Sequence, residues 1–143
     1  MVDPRAMLEE IRRDFYTGQD GALGSEAAVE AFASTIGRFA ADDIVCVMDG
    51  GALTTRYEGA NGVRDGWRDF LSAFETIRIV PGEIAETADG LLEYVHLVGR
   101  LVGTDTDVEA DAAAVWRIRG DKLAVVEFHM DRARARASAG LDS

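Results

Sequence analysis

The chain has 143 residues, a net charge of −11 and 48% hydrophobic residues. This suits one domain with its own core and excludes a disordered polymer. So acidic a chain predicts no nucleic-acid partner and no anionic membrane surface; with one cysteine (Cys46) and no apolar run of signal or membrane length, a cytoplasmic protein without internal disulfides is expected.

Asp3 followed by Pro4 reads as an N-cap with proline at the first helical position. Met7, Leu8, Ile11 and Phe15 recur at helical spacing, so a first helix is predicted over 4–16. A polar run with three glycines, Thr17 to Gly24, connects it to a second helix capped by Ser25 and running to residue 41. Val29, Phe32, Ala33, Ile36, Phe39 and Ala40 form its apolar stripe. Ile44 to Met48 is a short strand, and Gly50, Gly51 and Gly59 break the chain around it. A third helix is predicted over 61–77, with Val63, Trp67, Phe70, Leu71, Phe74 and Ile77 on one face. The hydrophobic period then changes to two, which gives strands at 78–86, 91–103, 108–119 and 122–130. Their connections (Asp89-Gly90, Gly103 to Asp107, Gly120-Asp121) are too short for parallel crossovers, so these strands are antiparallel. No repeat or linker interrupts this order, so 1–143 is read as one domain. Residues 1–24 are its N-terminal helix and connection, and 132–143 its tail. Arg132, Arg134 and Arg136 read as a solvated helix end.

Alternation assigns faces. Along 108–118 the inward set is Val108, Ala110, Ala112, Ala114, Trp116 and Ile118. Along 122–130 it is Ala124, Val126, Phe128 and Met130, which turns His129 outward. The segment 91–102 is apolar on both faces. Its even members, Leu92, Tyr94, His96, Val98 and Arg100, are assigned to the interior. A strand apolar on both faces is covered on both. Val95, Leu97, Leu101 and Val115 therefore predict a homodimer through the outer sheet face.

Several segments carry a family resemblance: Phe39-Ala40-Ala41-Asp42-Asp43, Tyr57-Glu58-Gly59-Ala60-Asn61-Gly62-Val63, and Trp67. The ending adds Asp121-Lys122-Leu123, His129-Met130-Asp131-Arg132 and Ala139-Gly140-Leu141. Over residues 26–141 the chain resembles the SnoaL-like branch of the nuclear transport factor 2-like superfamily. The resemblance implies an α+β cone, a curved antiparallel sheet closed by three helices around a pocket, and homodimers in many relatives. It also implies a range of activities: ketosteroid isomerases, polyketide cyclases, epoxide hydrolases, dehydratases and members without known catalysis. Placed on this sequence, the isomerases' hydrogen-bonding Asp falls at Ala114, two residues before Trp116. The isomerases' general base falls two residues before Asp49. The epoxide hydrolases' Arg-x-Asp falls at His96 and Val98, and their last-strand Asp, like the cyclases' carboxylate, at Phe128. None of these sets is complete in this chain.

Two groups remain as candidates for proton transfer. Asp49 ends the first strand with the parity of Val45 and Val47, which the resemblance turns toward the cavity. At an apolar mouth its pKa would rise and it would move protons; otherwise it initiates the Asp49-Gly50-Gly51 turn. His96 is either an acid, base or ligand, or a buried neutral histidine hydrogen-bonded to Tyr94 or the backbone. Arg100 either holds an anionic substrate group or forms a salt bridge at the rim. Tyr16 either points its hydroxyl inward or is a boundary aromatic. Val47, Trp67, Tyr94, Val98, Ala112, Ala114, Trp116, Phe128 and Met130 complete the predicted wall. Ala110, Ala112 and Ala114 leave either ligand volume or room for a helix to pack closely. His129 and Asp131 lack metal-ligand spacing, and no metal or cofactor is expected. The chain thus reads as a cavity for a small hydrophobic molecule. It is either a cofactor-independent cyclase, isomerase, dehydratase or hydrolase, or a non-catalytic ligand-binding or dimerising domain.

Overall fold

Asp3 caps the first helix as its sequence predicts: its carboxylate accepts from the Arg5 amide at 3.0 Å, with Pro4 at the first helical position. The structure, a computed structural model, describes residues 3–13, 26–51 and 53–141. Tyr16, the Thr17–Gly24 connection and the Ser25 cap lie outside them. The elements are α1 (Pro4–Ile11), α2 (Glu26–Gly37), β1 (Ala40–Asp49), β2 (Thr54–Glu58), α3 (Gly59–Leu71), β3 (Phe74–Thr87), β4 (Gly90–Leu101), β5 (Asp107–Arg119), β6 (Lys122–His129) and α4 (Arg132–Ser138).

The six strands form one curved sheet in the order β2-β1-β6-β5-β4-β3. The run β3-β4-β5-β6 is an antiparallel meander, as the short connections dictate. β1 pairs parallel with β6, so the sheet is mixed and not wholly antiparallel. β2 is an element the sequence reading lacked. Thr54, Thr55 and Tyr57 suit a strand, and Gly50 N donates to Leu53 O at 3.0 Å to close a hairpin with β1. Gly51 sits at φ 95°, a region L side chains rarely adopt. Two predicted helices end early. Residues 40–41 begin β1, and residues 74–77 belong to β3, where Ile77 is buried by alternation.

α1, α2 and α3 pack on the concave face around Phe32, Ile36, Ile44, Cys46, Trp67, Leu71, Trp116 and Val126. A second, smaller cluster lies on the convex face, where α4 buries Ala135 and Ala139 against Leu92, Ala113 and Val115. This cluster corrects the predicted dimer patch: Val115 is covered by this chain's own α4, and Val95 and Leu97 face the concave side. The arginines of α4 are not simply solvated. Arg132 donates to the carbonyls of Ala112 and Val95 and lies over the Tyr94 ring; Arg136 binds the Tyr94 hydroxyl and the Leu141 carbonyl.

Candidate ligand-binding cavity

A cavity of about 470 Å³ opens on the concave side between α3, the β1–β2 hairpin and strands β3 to β6. Its wall is aromatic and aliphatic. Trp67 stacks on Phe32 at 4.4 Å and on Phe70 at 5.4 Å, and Phe128 lies 5.2 Å from Trp67. Val95, Leu97, Ile79 and the small residues Ala112 and Ala114 complete the sheet side. Such volume and lining match the usual small-molecule site.

Of the predicted wall, Asp49, Trp67, Ala112, Ala114, Phe128 and Met130 border the cavity. Trp116 faces inward but is enclosed in the core behind the wall; Val47, Tyr94, His96, Val98 and Arg100 do not border the cavity, and the cause is register. β4 pairs with β5 so that an odd residue of β4 stands opposite an even residue of β5: Val95 faces Ala112, and His96 faces Asp111. Paired residues share a face, so Val95 and Leu97 turn inward while Tyr94, His96, Val98 and Arg100 turn outward. His96 is accordingly partly exposed on the convex face, with Nδ1 2.8 Å from Asp111 and Nε2 3.1 Å from Glu109. These carboxylates raise its pKa. Arg100 is exposed and donates to Asp107 at 3.1 Å, the salt-bridge alternative on the opposite face from the cavity. The same shift moves the epoxide-hydrolase positions assigned to His96 and Val98 off the interior; the inward residues there are apolar.

In β1, Met48 pairs with Phe128 and Cys46 with Val126, so the even residues face inward and Val47 faces outward. Cys46 is buried, and burial pushes its thiol up to about 12, so it stays protonated. Trp116 is fully buried; its indole N–H donates to Glu93 at 3.1 Å. Arg12 from the end of α1 donates to the other Glu93 oxygen at 2.9 Å and to Gly82 O. Glu93, assigned outward from sequence, is therefore a fully buried carboxylate tying α1 to the sheet.

At the C-terminal ends of β1 and β6, Asp49 and His129 border the rim. His129, expected on the outer face by alternation, pairs with Ala113 there but is buried. Its Nδ1 is 2.8 Å from Asp49 and its Nε2 2.8 Å from Glu127. Asp49 also accepts from Gly51 N at 3.0 Å, Thr54 Oγ1 at 3.2 Å and Arg134 Nε at 3.0 Å. Burial pushes the Asp49 carboxyl up, but these donors outweigh it and hold its pKa below the ordinary value. Glu127 is half-buried, which pushes its carboxyl up, but His129, Ser138 and Arg117 outweigh that and likewise lower it. Burial opposes the charge of His129, but the two carboxylates outweigh it and raise its pKa. The arrangement is an imidazolium between two carboxylates. Both oxygens of Asp49 each receive two donors, which leaves none for a substrate proton.

Sequence reasoning also missed Tyr57 and Asp69 at the cavity mouth. The Tyr57 hydroxyl donates to Asp69 Oδ2 at 2.9 Å, and burial with Asp69 pushes the phenol up to about 12. Gly66 leaves room for the ring, since a Cβ there would lie 2.9 Å from Tyr57 Cδ1. The available signal was Gly62 and Gly66, one turn apart on the α3 face that meets β2. Among the described residues, no cluster of His, Cys, Asp and Glu is arranged to hold a metal ion, and no helix is long and apolar enough to cross a membrane.

No curated protein sequence matches the chain significantly. Among solved structures, an NTF2-like protein of unknown function from Burkholderia pseudomallei superposes with TM-score 0.70 at 15% identity, covering 97% of this chain and 98% of the other. A SnoaL-like polyketide cyclase, so described provisionally, from Jannaschia gives 0.67 at 12% identity, covering 98% and 94%. A ketosteroid isomerase-like protein from Catenulispora acidiphila, in complex with trimethylamine, gives 0.64 at 16%, covering 92% and 93%. These likenesses establish the fold. Residues 25–126, well over half of the chain, match the SnoaL-like domain family, and the chain belongs to it.

Proposed function

We propose that the protein binds a small, largely apolar molecule in its concave cavity, without catalysing a reaction on it. The observation that carries this reading is an open apolar cavity at whose rim the expected proton-transfer carboxylate, Asp49, has both oxygens taken up by donors within the protein. A general base needs a free lone pair within reach of the substrate proton. The cyclase and isomerase reading would fall to the Tyr57–Asp69 pair at the mouth. The Tyr57 proton is committed to Asp69, the phenol's pKa of about 12 makes it a weak acid, and Asp69 stands exposed to water rather than within the apolar wall. The family and a structural neighbour that holds trimethylamine support occupancy by a small organic molecule.

The test is titration with N-phenyl-naphthylamine, an uncharged probe that fluoresces in apolar surroundings. Saturable binding at one site is expected, and Ala112→Leu with Ala114→Leu should abolish it by filling the cavity while leaving the far-UV circular dichroism unchanged. Binding that survives the filled cavity would place the ligand elsewhere.

A further inference from the structure

We propose that the natural ligand carries a cationic head, an ammonium or similarly charged nitrogen, received at the cavity mouth by Asp69. This rests on the binding reading above and adds the chemical class of the ligand. Asp69 lines the cavity yet is exposed, so its carboxylate stands where the cavity meets water. One oxygen accepts the Tyr57 hydroxyl, which orients the group. No cation among the described residues pairs with it. Its neighbours on α3 differ: Asp65 is paired with Arg68, and Arg64 and Arg68 reach Glu30.

The other charges at the rim are already neutralised by one another. Asp49 is engaged by Gly51, Thr54, His129 and Arg134; His129 lies between Asp49 and Glu127; Arg134 is engaged by Asp49 and the Gly51 carbonyl. Among the described residues, no lysine or arginine lines the cavity. An anionic ligand would therefore meet Asp69 without a counter-charge, in a chain of net charge −11 that concentrates cations around itself. Below Asp69 the wall is a run of aromatic faces: Phe74, Phe70, Trp67 and Phe128, with successive centroids 5.2 to 5.4 Å apart. Such faces attract a cation and accept an apolar body equally well.

Calorimetric titration of the full chain with phenylbutylamine, phenylbutanol and phenylbutyrate tests this, because the three share one apolar body and differ in head charge. At low salt the amine is expected to bind about fivefold more tightly than the alcohol, and the carboxylate most weakly. Asp69→Asn, which keeps an acceptor for Tyr57, should bring the amine-to-alcohol ratio close to one. Asp65→Asn, outside the cavity, should keep the ratio. Equal binding of amine and alcohol in the unaltered protein, tightest binding of the carboxylate, or an amine preference that survives Asp69→Asn would each overturn the inference. Binding of the alcohol without preference for the amine removes the charge argument and leaves the cavity reading in place. Binding of none of the three removes both.

Discussion

The two faces of the sheet use one alternation for opposite ends. The concave face presents Val95, Leu97, Ala112, Ala114 and Phe128 and leaves a void. The convex face presents His96, Asp111, Arg117 and Glu127, with Asp49 and His129 at the strand ends beside the rim, and pairs nearly every charge. Within the strands, titratable residues thus gather mainly on the face away from the ligand. They fasten α4 and the β1–β2 hairpin: Arg117 reaches Glu127 and Ser138, and Arg134 reaches Asp49 and Gly51. Polar side chains in a strand of this fold are a guide to what holds the walls in place more than to what happens between them.

The largest blow to that division would come from Asp49→Asn. It removes one charge from a buried cluster and should lower unfolding free energy by about 1–3 kcal/mol in urea titration. Probe binding should persist in the folded variant. A variant of full stability that no longer binds the probe would make Asp49 part of the ligand site and dissolve the distinction between faces.

A second, smaller effect is set by pH. Asp49 and Glu127 are held below their ordinary values, so their contribution is present above about pH 4.5 and lost as pH falls through their folded pKa values. His129 is held above its ordinary 6.5, so its contribution is complete below that pH and lost as pH rises through its folded pKa. Stability should therefore be greatest between these limits, and His129→Gln should flatten the alkaline decline in thermal melts. An unchanged alkaline limb would mean that the convex cluster is not held by the imidazolium.

The smallest effect belongs to His96→Gln. A partly exposed histidine between two exposed carboxylates should leave both the thermal midpoint and probe affinity unchanged. A clear loss of probe binding would return His96 to the cavity.

The sequence made most elements legible because period and turn chemistry are local. The helix cap at Asp3-Pro4, the change of period, and the three turns after β3 needed no tertiary information. Facing failed where two apolar faces met. β4 offers Tyr94, His96 and Val98 on one side and Val95 and Leu97 on the other, so its own pattern is silent. What settles it is the length of the β4–β5 connection, because one residue of register exchanges every side chain between faces. β5 carried that information, since Glu109 and Asp111 are unambiguously outward and His96 stands opposite Asp111. β1 had the same ambiguity, resolved by its parallel partner β6. The buried Glu93 and His129 were invisible for a related reason: each needs a partner distant in the chain, Arg12 for one and Asp49 for the other.

The parallel pairing of β1 with β6 also shapes how the protein is made. Asp49 and His129 are 80 residues apart, so at ribosomal rates about 4–16 s separates their synthesis. For that interval β1 has only the short β2 beside it in the sheet, and the strand edge that β6 will occupy is uncovered. Such an edge invites pairing with another nascent chain. The meander from β3 to β5 can assemble locally in the meantime, and β6 then joins the two halves last. Soluble yield on rapid overproduction is accordingly expected to follow how soon β6 arrives, and mutations that leave the finished fold's stability unchanged but blunt the β1 edge should raise it.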